Sequence, residues 1–341
     1  MPFVLLFYRH FGKFVPGCSH VGLGNNALFT ARVLKGHGVD VRPVGVNTPD
    51  HIRAALAQAP QTTHAVIEGT WLTPTDVEQL AAEHDRIEWS CREHSQITFL
   101  MVQRKGIEYT RGYGYLLDRS LNFAMSANNE RFCRYWIKAY NQHCLHLPNL
   151  YPLDANPAPR RRRAEQRDVL RISSFGAGRV FKNHPTSAAA ALMIGRELGR
   201  DVELHINVGR EPNLEQAPEA CRQIFAGVPG CKVVEHRWQS WGEFRHWCGA
   251  MDLGLAPTFS ETFCLTAADH IAAGVPVVGT EAVEWLPRYW MASSDDPGDV
   301  ARIGIGLILN PHAAEDGQTS LAAYNARSVG QWLDWLKVSS A

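Results

Sequence analysis

Residues 257–280 read PTFSETFCLTAADHIAAGVPVVGT, and the meaning of the rest of the chain turns on this stretch. Ahead of it, Ala250 to Ala256 (AMDLGLA) has the look of a short buried strand. Ser260 is then a suitable N-cap, and Phe263, Leu265, Ala268 and Ile271 recur at near-helical spacing. Gly274 and Pro276 stop that helix, and Val275 to Val278 reads as the next strand. The order is therefore strand, helix, strand, with a helix N-terminus at a strand's C-terminal end. Open α/β sheets bind anionic ligands at such places, because unpaired N–H groups and the helix dipole favour a phosphate. On this reading Glu261 lies in the first helical turn, and Asp269 lies about 80° around the axis and roughly two turns further on. A bare pair of acids at that spacing is also what dipole complementation and a solvated helix position would give.

The full string says more. Ser260-Glu-Thr-Phe-Cys-Leu265 and Ala272-Ala-Gly-Val-Pro-Val-Val278 resemble the signature of retaining GT-B glycosyltransferases, family 4 in particular. The resemblance implies that Glu261 contacts the donor sugar, that Asp269 holds the ribose of the nucleotide, and that Phe263, Cys264 and Leu265 present the helix N-terminus to the diphosphate. The chain departs from the pattern twice: Asp269 stands where the family has Glu, and Cys264 where it has Gly.

Composition bounds the alternatives. The chain has 341 residues, 45% of them hydrophobic, enough for two domains with ample cores. No run of 18 apolar residues occurs, so no membrane span is expected. Eight cysteines without a C-x-x-C pair point to reduced thiols and a cytoplasmic setting rather than to disulfides or zinc. Net charge is zero but uneven: residues 95–163 carry 11 Lys/Arg against 4 Asp/Glu, and residues 164–341 carry 15 against 21. The middle segment is thus +7 and the C-terminal half −6.

From the start, Val4 to Tyr8 reads as a strand, followed by a loop with Gly12, Gly17, Gly22 and Gly24 and a helix from Ala27 to Gly36. Gly-Leu-Gly alone marks an ordinary turn as readily as a phosphate-facing loop. The string from Gly22 to Val39 is similar to the family's opening, which implies that Gly22 and Gly24 face the donor diphosphate or the acceptor. Further strands are expected at 64–72, 86–92, 122–127 and 144–149. With Gly38 to Arg42 as the second strand, the fourth, 86–92, delivers Glu93, His94 and Ser95 to its C-terminal end. A histidine there is commonly a loop hydrogen-bonder; the resemblance implies that His94 touches the donor sugar. Residues 154–163 (DANPAPRRRR) read as a linker. Val169 to Phe175 opens a second sheet, and the loop after it carries Arg179 and Lys182, two cations suited to a pyrophosphate. Here the gap between them is shorter than in the related family motif. The strand 233–238 ends on Trp238, which suits either a nucleobase contact or core packing. The closing helix, Ser328 to Lys337, is expected to pack Trp332 and Trp335 on the first domain.

The expectation is an α/β chain with the GT-B fold: two Rossmann-like domains, with an interdomain cleft. They comprise an acceptor-side domain at 1–153, a linker at 154–168, a nucleotide-sugar-binding domain at 169–321, and a helix at 322–341 crossing back. The activity expected is metal-independent, retaining transfer of a sugar from a UDP- or GDP-sugar donor to a hydroxyl acceptor, with no cofactor. Glu261, His94, Arg179 and Lys182 are its catalytic residues. Two alternatives stand beside it: an enzyme resembling the UDP-sugar epimerases on the same fold, and an inactive binding module. The acceptor is open. Cations interleaved with aromatics (Arg104, Lys105, Arg111, Arg119, Arg131, Arg134 and Lys138 with Tyr109, Tyr113, Tyr115, Tyr135 and Trp136) fit a phosphate-rich polymer. The loop 175–183 also looks like that of bacteriophage-encoded glycosyltransferases, which makes hydroxymethylated DNA in a host cytoplasm a candidate acceptor. A solvated basic face is the plainer explanation.

Overall fold

The computed structural model describes residues 2–10, 21–100, 102, 105–119, 121–153, 168–209 and 216–338. The expected linker at 154–163, Gly12, Gly17, Arg104 and the arginine run 160–163 lie outside the described residues. The chain divides into two units, residues 1–152 with 325–341 and residues 153–324.

The first unit runs β1 (Phe3–Arg9), α1 (Val21–Gly36), β2 (Asp40–Val46), α2 (Pro49–Ala57), β3 (His64–Glu68), α3 (Pro74–Glu83), β4 (Glu88–Glu93), α4 (Ile97–Leu100), α5 (Gly106–Leu116), β5 (Phe123–Ala127), α6 (Glu130–Tyr140) and β6 (Leu145–His146). Its six strands are all parallel, in the order β2-β1-β3-β4-β5-β6. Strands buried on both faces read as continuous apolar runs, which is why Phe3 to Phe7 is buried throughout. The helix starts are cut by polar caps. Thr48 caps α2, Thr73 and Asp76 form a capping box on α3, and Asn129 accepts from the Phe132 amide at 2.8 Å to start α6. Helix α1 begins six residues earlier than its apolar spacing suggests. Gly22 and Gly24 therefore lie in its first turns rather than in a loop; Gly24 lets the helix rest on the Tyr8 ring.

The second unit runs β7 (Val169–Ser174), α7 (His184–Leu198), β8 (Asp201–Asn207), α8 (Gln216–Phe225), β9 (Lys232–His236), α9 (Trp241–Cys248), β10 (Leu253–Leu255), α10 (Leu265–Ala272), β11 (Val277–Val278) and α11 (Pro297–Leu309). Its sheet is parallel with the order β11-β10-β7-β8-β9. The chain winds outward from β7 to β9, then returns to the other side of β7 with β10. The topological switch point therefore lies between β7 and β10. Asp252 is structural, as expected for its place before β10: its Oδ2 accepts from the Arg171 amide at 2.9 Å, and its own amide donates to Arg171 O at 2.8 Å.

Helix α12 (Ala313–Trp335) starts in the second unit, and its residues from Asn325 onward belong to the first. There Trp332 donates to Pro148 O at 2.8 Å, Trp335 meets the His64 ring edge-on at 4.9 Å, and Asn325 pairs with the backbone of Tyr151. No helix among the described residues is long and apolar enough to cross a membrane.

Two of the aromatics expected on a polymer-facing surface are core residues instead. Tyr113 and Trp136 are fully buried, because α5 and α6 turn these positions onto the sheet. What remains outward is Arg111, its guanidinium 4.1 Å from the Tyr140 ring and 5.7 Å from that of Tyr115, with Lys105 over Tyr109 at 5.4 Å. Arg119 pairs with Glu78 at 3.1 Å, and Arg134 with Glu130 at 4.0 Å.

A charged network is sealed inside the first unit. Arg92 and Glu68 are both fully buried. Arg92 Nη1 donates to both Glu68 oxygens at 2.9 and 3.0 Å, Nε to Leu147 O at 2.7 Å, and Nη2 to Asn149 Oδ1 at 2.6 Å. Trp332 covers the guanidinium at 5.1 Å. Removing one partner of such a pair leaves an uncompensated buried charge. Glu68→Ala is expected to cost about 3–5 kcal/mol, seen as a lower urea midpoint. A loss below about 1 kcal/mol would show that Arg92 is satisfied by its two other partners alone.

Candidate active site at the switch point

Two loops leave the sheet of the second unit at its switch point, 175–183 after β7 and 256–264 after β10. They are stitched together. Phe181 O accepts from the Phe259 amide at 2.9 Å and from Thr258 Oγ1 at 2.7 Å. Asn183 Nδ2 donates to Pro257 O at 3.1 Å and also to Ser294 O. Asn183 is itself left-handed at φ 56°, a conformation asparagine tolerates better than most residues. Gly176 has φ 130°, and the Lys182 chain lies over it, 3.7–3.9 Å from where a Cβ would be. The loop thus lets the lysine lie flat against its own start.

This stitching brings Lys182 Nζ onto Glu261 Oε2. Burial disfavours both charges, but their mutual attraction outweighs it: Lys182 is held above its usual range and Glu261 below. Glu261 also accepts from the Thr262 amide at 3.1 Å, and Arg179 adds to its depression. The short gap between the cations has a geometric account. Residues 180–182 form a single 3₁₀ turn entered from an extended Arg179, and the charges of Arg179 and Lys182 both act on Glu261. The arrangement offers two cations and an anchored carboxylate to whatever enters.

The expected helix start needs correcting. Helix α10 begins at Leu265, not at Ser260, so Glu261 and Phe263 lie in the loop and the helical angle between Glu261 and Asp269 does not apply. Thr258 and Phe259 are tied to Phe181, which holds the loop off the helical path. The residue at the N-cap position is Cys264, buried and left-handed at φ 62°. Glycine takes that conformation freely, while another residue costs about 1–2 kcal/mol. Phe263 is a core anchor: its ring lies 5.5 Å from Trp285 and 5.3 Å from Tyr324, and its carbonyl accepts from Trp285 Nε1 at 2.6 Å. The Leu265 and Thr266 amides open the helix, where the i−4 ladder has not begun. At its other end, Gly274 at φ 80° follows the helix, as its place in the sequence suggests.

Asp269 is buried at 3% exposure and accepts from Trp241 Nε1 at 2.8 Å. Trp238 is half-buried. Neighbouring serines of β7 point to opposite faces, and each holds a helix. Ser173 Oγ meets His270 Nε2 of α10 at 2.7 Å, and Ser174 Oγ meets His184 Nδ1 of α7 at 2.8 Å. Burial pushes both imidazoles down to about 4, so both are neutral.

His94 lies in the other unit, in a cluster of its own. Its Nε2 meets Glu68 Oε2 at 2.5 Å, and its Nδ1 faces Asn128 Nδ2 at 3.3 Å and Asn26 Nδ2 at 3.5 Å. Burial depresses its basicity and Glu68 offsets part of that, which fits a neutral ring donating from Nε2. Beside it, buried Glu93 accepts from Thr70 Oγ1 and from the His94 and Ser95 amides, with burial pushing its carboxyl up. Sequence reasoning missed Glu68, Arg92, Asn183 and Trp241. An acid closing the apolar strand 64–68 was the one available signal. Among the described residues, no group of three or more His, Cys, Asp or Glu is placed to hold a metal ion.

With this geometry in view, solved structures supply the comparison. Sucrose-phosphate synthase from Thermosynechococcus elongatus is similar at a TM-score of 0.70 and 13% identity, over 99% of this chain and 98% of that one. A glycosyltransferase from Rickettsia africae matches at 0.68 and 13%, covering 98% of each chain. HepE of Anabaena, solved in complex with UDP and glucose, matches at 0.68 and 13%, over 98% and 99%. The chain has the GT-B fold. No protein-family profile and no curated protein matches its sequence. At 13% identity these likenesses concern the fold, and the chemistry must be argued from the side chains above.

The two buried histidines fix a pH dependence. Each has a folded value of about 4 against an unfolded 6.5, so between these values the unfolded chain binds more protons. Their contribution is complete above pH 6.5 and is lost as pH falls toward 4, by roughly 3 kcal/mol each at most. Urea unfolding across that window should show a stability slope that His270→Gln reduces by about one proton. An unchanged slope in the variant would show that His270 is not the group responsible.

Proposed function

We propose that the protein is a glycosyltransferase that moves a sugar from a nucleoside-diphosphate sugar, UDP- or GDP-linked, to a hydroxyl acceptor with retention of configuration. The observation that carries this reading is the Lys182–Glu261 pair, with Arg179 beside it, at the switch point of the second unit. Arg179, Lys182 and the α10 N-terminus address the diphosphate, so the negative charge that grows as the C1–O bond breaks meets fixed positive groups and no metal is called upon. Glu261 lies on the sugar side of the departing oxygen and Asp269 on the ribose side. The acceptor hydroxyl attacks C1 from the face the diphosphate leaves, which gives retention. His94 takes the sugar-contacting part that the resemblance to family 4 implies, with its ring held by Glu68. An epimerase-like enzyme and a binding module remain the rivals, and both are met by the same assay.

Incubation with UDP- and GDP-sugars, with release of nucleoside diphosphate as the readout, is the direct test. Glu261→Gln should leave the fold intact and lower turnover at least about a hundredfold. Arg179→Ala and Lys182→Ala should each weaken binding of the nucleoside diphosphate more than that of the nucleoside. Wild-type turnover in Glu261→Gln, or equal losses for both ligands, would remove these residues from the roles assigned.

A second reading concerns the acceptor, a hydroxymethylated base in DNA, as in phage-type enzymes. The outward cation–aromatic groups on α5 and α6 favour it, Arg111 between Tyr115 and Tyr140 above all. Duplex binding that weakens steeply between 50 and 200 mM salt is then expected, on the scale of about tenfold or more, together with label transfer to hydroxymethylated but not to unmodified DNA. Absence of DNA retardation at low salt, with transfer to a saccharide or lipid, would dismiss it.

A further inference from the structure

We infer that Asn183 is a positioning residue of this site: its side-chain amide ties together the segments that follow β7, β10 and β11, and so holds Lys182 against Glu261. Its consequence for a ligand rests on the nucleoside-diphosphate reading above. Asn183 is 6% exposed and stands directly before α7, the place where an asparagine ordinarily caps its own helix. Here it makes no side-chain cap. A capping asparagine has an extended backbone, whereas Asn183 is left-handed at φ 56° and ψ 44° and spends its amide elsewhere. Nδ2 donates to Pro257 O at 3.1 Å, 74 residues on, and to Ser294 O, 111 residues on. Both neighbours are carbonyl oxygens, which only accept, so the amide nitrogen must face them and both its N–H bonds are used. A residue that forgoes its local cap for two distant carbonyls is serving the loops rather than the helix.

Both far ends of the tie are fixed. Ser294 lies in a turn where Ser293 N donates to Asp299 Oδ2 at 2.8 Å and Asp296 Oδ1 accepts from the Gly298 and Asp299 amides at 2.8 and 3.1 Å. Pro257 precedes Thr258 and Phe259, which are bonded to Phe181 O. Lys182 therefore stands between two anchored residues, Phe181 through its carbonyl and Asn183 through its side chain. A lysine side chain is flexible, and ordering it costs entropy. With its backbone held on both sides and its stem lying over Gly176, the ammonium is left close to Glu261. Phe181 is tied to the loop after β10, and Asn183 adds the segment between β11 and α11. Glycine at 183 would supply the left-handed turn without strain and neither tie. Aspartate would keep the shape and set a carboxylate against two carbonyl oxygens.

The test compares Asn183→Gly and Asn183→Asp with the wild type, with thermal unfolding to confirm that each variant is folded. Reductive methylation in mildly alkaline buffer, read by mass spectrometry, reports how well Lys182 is held, with the exposed Lys35 and Lys138 as references in the same molecule. In Asn183→Gly the Lys182 rate should rise at least about threefold against both references, because an amine that loses part of its ion pair is more often neutral. General loosening would raise all three lysines together. Calorimetry with UDP, GDP and their nucleosides should show the diphosphate that the wild type binds weakened about tenfold in Asn183→Gly and the nucleoside by less than about twofold, the scale of one misaligned charge-assisted bond. Asn183→Asp, of the same shape but without amide donors, should weaken the diphosphate at least as much. Wild-type Lys182 reactivity in folded Asn183→Gly, or wild-type affinity in Asn183→Asp, overturns the inference and leaves the proposed function standing. A raised Lys182 rate with unchanged diphosphate affinity overturns it as well. A wild type that binds neither UDP nor GDP removes the proposed function instead, and the labelling alone then decides whether Asn183 sets the pair.

Discussion

The carbonyl of Phe181 is the point on which the site depends. It takes two donors from the loop after β10, and through them the loop after β7 is held at a fixed distance from its neighbour. Neither bond contributes much net stability, about 1 kcal/mol each. Their effect is positional. Between them they set Lys182 against Glu261, so that two half-buried charges offset each other's desolvation. The pair also serves the ligand before it arrives. A carboxylate that balances the lysine keeps both in place and ionised, so on the function proposed a diphosphate would find its cation already oriented.

Much of this was legible in the sequence, and the part that was not has a physical cause. Strand and helix positions follow from apolar runs and caps, which are local. The sheet-end loops were harder because their shape comes from bonds between segments nearly 80 residues apart. Ser260 looks like an N-cap by every local rule, yet Thr258 and Phe259 are pinned to Phe181, and the helix cannot start until the chain turns at Cys264. The same limit explains why Gly22 and Gly24 read as loop: glycine's poor propensity is overridden where a helix must rest on Tyr8. Tyr113 and Trp136 read as surface aromatics because their neighbours are charged, although their own positions face the sheet. Arg179, Lys182, Glu261 and Asp269 were singled out because the strings around them resemble a family motif; their spacing alone left plainer explanations open. Trp241 was invisible, since one tryptophan after one serine carries no pattern.

Cys264 shows what the departures from the related motif mean in structure. The turn into α10 requires a left-handed residue, and a glycine there would satisfy it without strain. The cysteine accepts the strain and returns a buried side chain at 3% exposure whose thiol lies 3.3 Å from Thr266 Oγ1 in the first helical turn. The backbone shape that aims the first amides of α10 is therefore kept while its chemistry changes. Asp269, shorter by one methylene than the acid of the related motif, is likewise held from outside that motif, by Trp241 Nε1 at 2.8 Å.

The polar groups under the loops complete the argument. Ser173 and Ser174 sit side by side on β7, and by strand alternation one reaches up to α10 and the other to α7. Both helices that follow the site loops are thus hung from one strand end. Each hook is a serine and a neutral imidazole, and neutrality matters here. The Lys182 charge already helps to suppress protonation of His184. A lysine or arginine in either place would bury a fixed cation beneath the loops. A neutral ring that both donates and accepts anchors the helix without adding a charge at the switch point, where Lys182 and Glu261 already balance each other.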